Sequence, residues 1–149
     1  MPTEEPLLQP HLQAALRRAG LRVTAPRLAV LVSVQGAGQH QDAEAIAALA
    51  RRRLGTLSTQ AVYDNLHTLE AAGLVRRIQP SGHPARYEAR VGDNHHHLVC
   101  RRCGLTVDVD CVTGKAPCLE PVTDQGFVVE VAEVIFWGLC ATCRPEPSL

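Results

Sequence analysis

Two Cys-x-x-Cys pairs, Cys100 with Cys103 and Cys140 with Cys143, limit this chain more than any other feature. Each pair can place two thiolates on one ion at a tight turn, and two pairs complete a tetrahedral sulfur site suited to Zn²⁺. Gly104 gives the backbone freedom to turn after the first pair. A thioredoxin-like redox pair would account for one Cys-x-x-Cys and not the other. Between the pairs the pattern is β-like. His97 to Val99 and Leu105 to Asp110 read as short strands, and Phe127 to Leu139 as a long one rich in Val and Ile. Lys115 to Gln125 reads as a short helix and loop interrupted by Pro117 and Pro121. A small mixed sheet of about 55 residues buries little area. Zinc is therefore expected to contribute folding free energy directly, and a symmetric homodimer to cover the remaining apolar face.

The chain upstream has helical periodicity. Leu8, Leu12, Ala15, Leu16 and Ala19 recur at helical spacing, and Gly20 stops the run. Thr24 is placed to cap a second helix, in which Pro26 falls in the first turn and costs no intrahelical bond. Gly36 and Gly38 break it. Asp42 is placed to cap a third helix, which turns Ile46, Leu49 and Ala50 inward and ends in Arg51 to Arg53. Ser58 caps a fourth, with Val62, Leu66 and Leu69 facing the core and Gly73 closing it. Thr59, Gln60 and Tyr63 remain on its outer face, polar groups able to reach base edges or phosphates. Leu74 to Gln79 and Ala85 to Arg90 then read as strands around a Pro80-Ser81-Gly82-His83 turn. Helices followed by a basic two-stranded hairpin make a winged helix-turn-helix.

Charge divides along the same line. Residues 1–90 carry 11 Arg and 7 acids, net +4, and residues 91–149 carry 4 basic and 8 acidic residues, net −4. A polyanion-binding part joined to a metal-binding part fits that asymmetry. No stretch is apolar enough to span a membrane. Met1 to Pro10 lacks the basic and apolar regions of a secretory signal, so a cytoplasmic location is expected, with the six cysteines reduced. The expected fold is α+β: an N-terminal winged helix-turn-helix domain with hinge over residues 1–90, and a small α/β dimerisation domain with a Cys₄ zinc site over residues 91–149.

Asp93-Asn94-His95-His96-His97 lies just before Cys100. In a strand, His95 and His97 share one side and His96 takes the other. Two imidazoles with carboxylates such as Glu88 and Asp108 would make a nitrogen/oxygen site for Fe²⁺, Mn²⁺ or Zn²⁺. A metal there could fix the orientation of the two halves.

Over nearly its whole length the chain resembles the Fur superfamily of metal-dependent bacterial regulators. The matching strings are Gly20-Leu-Arg-Val-Thr-Ala-Pro-Arg27, Ser58-Thr-Gln-Ala-Val-Tyr-Asp-Asn-Leu66, Ala72-Gly-Leu-Val75, Ala85-Arg-Tyr-Glu88, His95 to Gly104 and Trp137 to Cys143. Within it the chain is most similar to the actinobacterial FurA/CatR branch, which resembles the peroxide sensor PerR. The resemblance implies a regulatory Fe²⁺ or Mn²⁺ site on His40, Glu88, His95, His97 and Asp108, and structural Zn²⁺ on Cys100, Cys103, Cys140 and Cys143. It implies DNA reading by Gln60 and Tyr63, with Thr59, Arg22 and Arg77 as phosphate or minor-groove contacts on a double-stranded, palindromic operator. In peroxide sensors of the family, Fe²⁺ reacts with hydrogen peroxide and a ligating histidine is oxidised; His40 and His95 match. Glu88 is commoner in iron-uptake regulators, whereas Asp108 agrees with the peroxide sensors. A further regulatory site of some members is not carried over, since its matching positions include Asn94 and His96 and no histidine follows His97. Cys111 and Cys118 fall outside the zinc set, as a second redox pair or as buried inert thiols.

The expected function is thus a homodimeric repressor that senses hydrogen peroxide and controls catalase or catalase-peroxidase genes. The alternative is a ferric-uptake-type regulator sensing Fe²⁺ abundance. A zinc-dependent nucleic-acid enzyme is disfavoured: His95 lacks the glutamate two residues on that a deaminase needs, and neither Cys-x-x-Cys follows a proline.

Overall fold

Thr24, Asp42 and Ser58 are short polar residues, each followed by a stretch with helical periodicity, and each begins a helix. The structure, a computed structural model, describes residues 9–36, 40–89, 95–110, 123, 125–129 and 134–146. Cys111, Cys118 and the expected helix from Lys115 lie outside the described residues, apart from isolated positions near its end. The chain divides into two compact units, residues 1–92 and 93–149.

In the first unit, α1 (Pro10–Arg18) ends before Gly20, whose φ of 73° suits a residue without Cβ. The Thr24 hydroxyl accepts the Arg27 N–H at 3.3 Å and starts α2 (Ala25–Gln35). Every residue from Leu28 to Val34 is buried, so α2 is the central helix of the bundle. Its one buried hydroxyl, Ser33, donates to the Ala29 carbonyl at 2.7 Å. Asp42 caps α3 (Ala43–Leu54) by accepting the Ala45 N–H at 2.8 Å, and Ser58 caps α4 (Thr59–Ala71) by accepting the Ala61 N–H at 3.1 Å. Val62, Leu66 and Leu69 of α4 are buried with Leu12, Leu16, Leu31 and Ile46 in one apolar core.

Arg51 pins the turn between α3 and α4. Its Nε donates to the Leu57 carbonyl at 2.8 Å and its Nη2 to the Thr59 hydroxyl at 3.1 Å. The chain then forms β2 (Arg76–Ile78) and β3 (Arg86–Glu88), shorter than the expected Leu74 to Gln79 and Ala85 to Arg90. Between them the His83 N–H donates to the Pro80 carbonyl at 3.0 Å, and Gly82 takes φ 77°. The wing has a third strand. β1 (Gln41–Asp42) pairs with Tyr87 and Arg86, giving an antiparallel sheet in the order β1-β3-β2. A two-residue strand directly before a helix cap is too short to show a period of two.

In the second unit, β4 (His95–Cys100) is central. It pairs antiparallel with β5 (Thr106–Asp110) and parallel with β6 (Ile135–Gly138), so the sheet is mixed as expected. The expectation of one long strand from Phe127 to Leu139 is corrected. Phe127 to Val129 are exposed and outside any strand, and β6 covers four residues. Strand propensity measures fit to a pleated, half-buried surface. β4 has only two edges; β5 takes one, and β6 takes the other opposite His97 to Cys100.

Candidate metal centres and nucleic-acid interface

Cys100 is the last residue of β4, and its N–H donates to the Leu105 carbonyl at 2.8 Å. The Gly104 N–H returns to the Cys100 carbonyl at 2.9 Å, folding the first Cys-x-x-Cys into a knuckle. The second has the same form, with the N–H groups of Cys143 and Arg144 donating to the Cys140 carbonyl at 3.0 and 2.9 Å. The Arg101 N–H donates to the Gly138 carbonyl at 2.9 Å, holding the end of β6 beside the first knuckle. The parallel β4–β6 pairing is thus what brings the two pairs together.

All four Sγ atoms lie within 4.8 Å of one another, and those of Cys103 and Cys140 are 3.8 Å apart. Sulfurs at about 2.3 Å from a tetrahedral zinc stand about 3.75 Å from each other, so the donor set fits that ion. The thiols are electrostatically uneven. Backbone N–H groups, Cys103's foremost, pull Cys100 down to about 5, and the Cys143 N–H lowers Cys140. Cys143 is pushed up to about 12, chiefly because its thiol hydrogen-bonds Cys140. A divalent cation at their centre would let all four sulfurs ionise.

Among the described residues, each unit brings an imidazole and a carboxylate together. In the first, His40 Nε2 and Glu88 Oε2 are 2.6 Å apart, and both side chains are about 95% buried. The Arg86 guanidinium donates to the His40 carbonyl at 2.9 Å, and Arg76 Nε stands 4.0 Å from Glu88 Oε1. In the second, His97 and Asp108 are cross-strand partners, with Nε2 and Oδ1 3.3 Å apart. His97 is fully buried and shares its sheet face with Val99, the next residue but one on β4. The opposite face carries His96, whose Nδ1 accepts the Val134 N–H at 3.2 Å. His96 thus meets the backbone just before β6, a contact its place in a histidine run concealed. The backbone of His95 lies in β4 opposite Asp110; its side chain is outside the described residues.

On the first unit, Thr59, Gln60 and Tyr63 are exposed along α4, and so are Asp64 and His67. Tyr63 is 47% exposed although aromatic, on a helix whose Val62, Leu66 and Leu69 are buried. Thr59 accepts from Arg51, and the Gln60 amide donates to Asp64 Oδ1 at 2.8 Å. Arg22 is exposed, its carbonyl accepting from Arg27 at 2.7 Å. Arg77 is exposed on β2 and donates to Gln79 Oε1 at 2.6 Å. It also hydrogen-bonds the buried Tyr87 phenol, whose pKa burial raises and Arg77 partly restores. The Arg51 clamp had no signal in the sequence, where three successive arginines read as a helix C-terminus.

Residues 18–136 match the pattern of the ferric uptake regulator family. Transcriptional regulator FurA of Mycobacterium tuberculosis is 58% identical over 134 residues, 90% of each chain. Ferric uptake regulation protein 2 of Mycolicibacterium fortuitum is 55% identical over 91% of this chain and 94% of its own. The peroxide-responsive repressor PerR of Staphylococcus epidermidis is 28% identical over 89% of this chain and 88% of its own. Among solved structures, the ferric uptake regulator of Pseudomonas aeruginosa with manganese superposes with a TM-score of 0.63 at 27% identity, covering 87% of this chain and 97% of that one.

Proposed function

Because the chain belongs to the ferric uptake regulator family, a family of transcription regulators and not of enzymes, we propose that it is an iron-responsive repressor of ferric-uptake type. The observation that carries this reading is the pair of imidazole–carboxylate contacts, His40 with Glu88, both buried, and buried His97 with the part-buried Asp108. Nitrogen and oxygen donors of this kind suit Fe²⁺ or Mn²⁺. In the proposal His40, Glu88, His95, His97 and Asp108 supply one regulatory cation, and the four cysteines a structural Zn²⁺. The names of the relatives above 50% identity, with ferric uptake among them, favour iron abundance as the signal.

The partner proposed for α4 and the wing is a double-stranded operator. Thr59, Gln60 and Tyr63 would meet it in the major groove, with Arg22 and Arg77 on phosphate or in the minor groove. The proposed homodimer is supported by the second sheet. Val107, Leu98 and Phe136 stand in one row across β5-β4-β6, and each is more than 40% exposed. His97 and Asp108 lie on the other face, so dimerisation and metal binding use different sides of the sheet. Among the described residues no helix is long and apolar enough to cross a membrane.

A second reading, peroxide sensing, is favoured by Asp108 and by the PerR relative; His40 and His95 are its oxidation candidates. One experiment separates the two. Zinc-loaded protein is titrated anaerobically with Fe²⁺ against a randomised DNA duplex pool, then given stoichiometric hydrogen peroxide. The iron reading expects DNA binding to require Fe²⁺ and to survive the peroxide with unmodified histidines. Loss of binding, with one oxygen atom added to a peptide containing His40 or His95, would replace it with the peroxide reading.

A further inference from the structure

The outer face of α4 contains an acid where a polyanion is expected to dock. Asp64 is exposed one turn after Gln60 and one residue after Tyr63. A bare carboxylate there opposes phosphate by Coulomb repulsion. Its Oδ1, however, accepts a hydrogen bond from Gln60 Nε2 at 2.8 Å. An ionised carboxylate accepts and cannot donate, so its partner must be the NH₂ end of the Gln60 amide. An unheld glutamine amide can turn over and exchange its donor and acceptor ends. This one is held in a single sense.

We propose that Asp64 is a specificity-determining positioning residue. By taking one amide proton of Gln60, it leaves that side chain offering one acceptor, Oε1, and one donor. That pair matches the major-groove edge of adenine, where N6 donates and N7 accepts. The inference rests on the reading of α4 as the DNA-contacting helix and adds what the helix selects: an adenine at the position facing Gln60 in each half-site. A glutamine–aspartate pair one turn apart also gives a helix a little stability. The two roles separate experimentally, because helix stability does not depend on which base is opposite.

The test uses the full-length, zinc-loaded protein with Mn²⁺, and selection from a randomised duplex pool. The parent should enrich a motif with a fixed adenine in each half-site, and Gln60→Ala should erase that position alone. Asp64→Ala should reduce the preference for adenine there at least ~5-fold, while total duplex affinity at low salt holds or rises as a negative charge is lost. Asp64→Glu keeps an acceptor-only carboxylate and should retain the preference, whereas Asp64→Asn, whose amide can donate to Gln60 Oε1 as well as accept, should not. Circular dichroism and melting of each variant report folding independently. An adenine preference erased by Gln60→Ala and untouched by Asp64→Ala would overturn the role of Asp64. A selected motif unchanged by Gln60→Ala would overturn the DNA-reading role of this face, and the present inference with it.

Discussion

Leu98→Ala tests whether the second sheet closes a dimer through the face opposite His97 and Asp108. Leu98 is 49% exposed and flanked in register by Val107 on β5 and Phe136 on β6, each 44% exposed. Complete burial of a leucine side chain contributes ~1.5–3 kcal/mol. With half its surface already covered, Leu98 has about 1 kcal/mol left to gain on association. A twofold axis counts each residue twice, so truncation should cost about 2 kcal/mol, or a roughly 30-fold rise in the dimer dissociation constant. Sedimentation equilibrium of the zinc-loaded protein across a dilution series measures that constant. Asp108→Ala, on the opposite face, should leave it unchanged. A dissociation constant for Leu98→Ala within about threefold of the parent value would refute the assignment. So would a dimer weakened as much by Asp108→Ala.

Ser58→Ala removes the cap on the Ala61 N–H and should cost about 1 kcal/mol. In a domain of this size that lowers the first unit's melting temperature by ~4–8 °C, read by calorimetry. Tyr63→Ala should lower specific relative to non-specific DNA affinity, whereas Arg77→Ala should weaken both and flatten the salt dependence in a binding isotherm. Glu88→Ala takes the carboxylate from the buried His40 contact. It should abolish metal-activated DNA binding and leave the zinc content, measured by atomic emission, intact. Stripping zinc with a strong chelator should dissolve the β4-β5-β6 sheet while the helical signal of the first unit persists in circular dichroism.

The features legible in the sequence were those with local physical causes. Thr24, Asp42 and Ser58 cap because a short polar side chain reaches the N–H three residues on, and that needs only sequence spacing. Val62, Leu66 and Leu69 declared α4's buried side by their period. The two Cys-x-x-Cys pairs were legible as a set because knuckle geometry is local, although their meeting depends on β4 pairing with β6. Features set by distant partners were not legible. Whether β1 forms depends on the free edge of β3, 44 or more residues later, where Asp42 meets Arg86. The end of β6 depends on how much edge β4 has left. For the same reason His96 could not be told from its neighbours, since its partner is the Val134 N–H.

The positions of His40 and Glu88 explain how a small ion could alter a DNA-binding surface. His40 directly precedes β1, and Glu88 ends β3, the central strand of the wing. Next after β1, Asp42 caps α3, and Arg51 near the end of α3 clamps the turn that starts α4. On the other side of β3, Arg77 of β2 pairs with Tyr87. Two of the residues proposed to hold the cation, His40 and Glu88, are therefore tied through strand pairing and side-chain hydrogen bonds to both surfaces proposed to meet DNA. A ligand shifts an equilibrium only by its difference in affinity for the two states. His40 and Glu88 already touch at 2.6 Å, so a cation binding there must replace that contact. Its net effect on the wing is the difference between the bonds it makes and the one it displaces. Glu88→Gln, which keeps shape and hydrogen bonding but loses the charge, should therefore leave any residual DNA binding of the metal-free protein unchanged and remove the activation by Mn²⁺ expected of the parent. Metal-free binding altered as much as metal-activated binding would mean that the pair acts as a fixed brace.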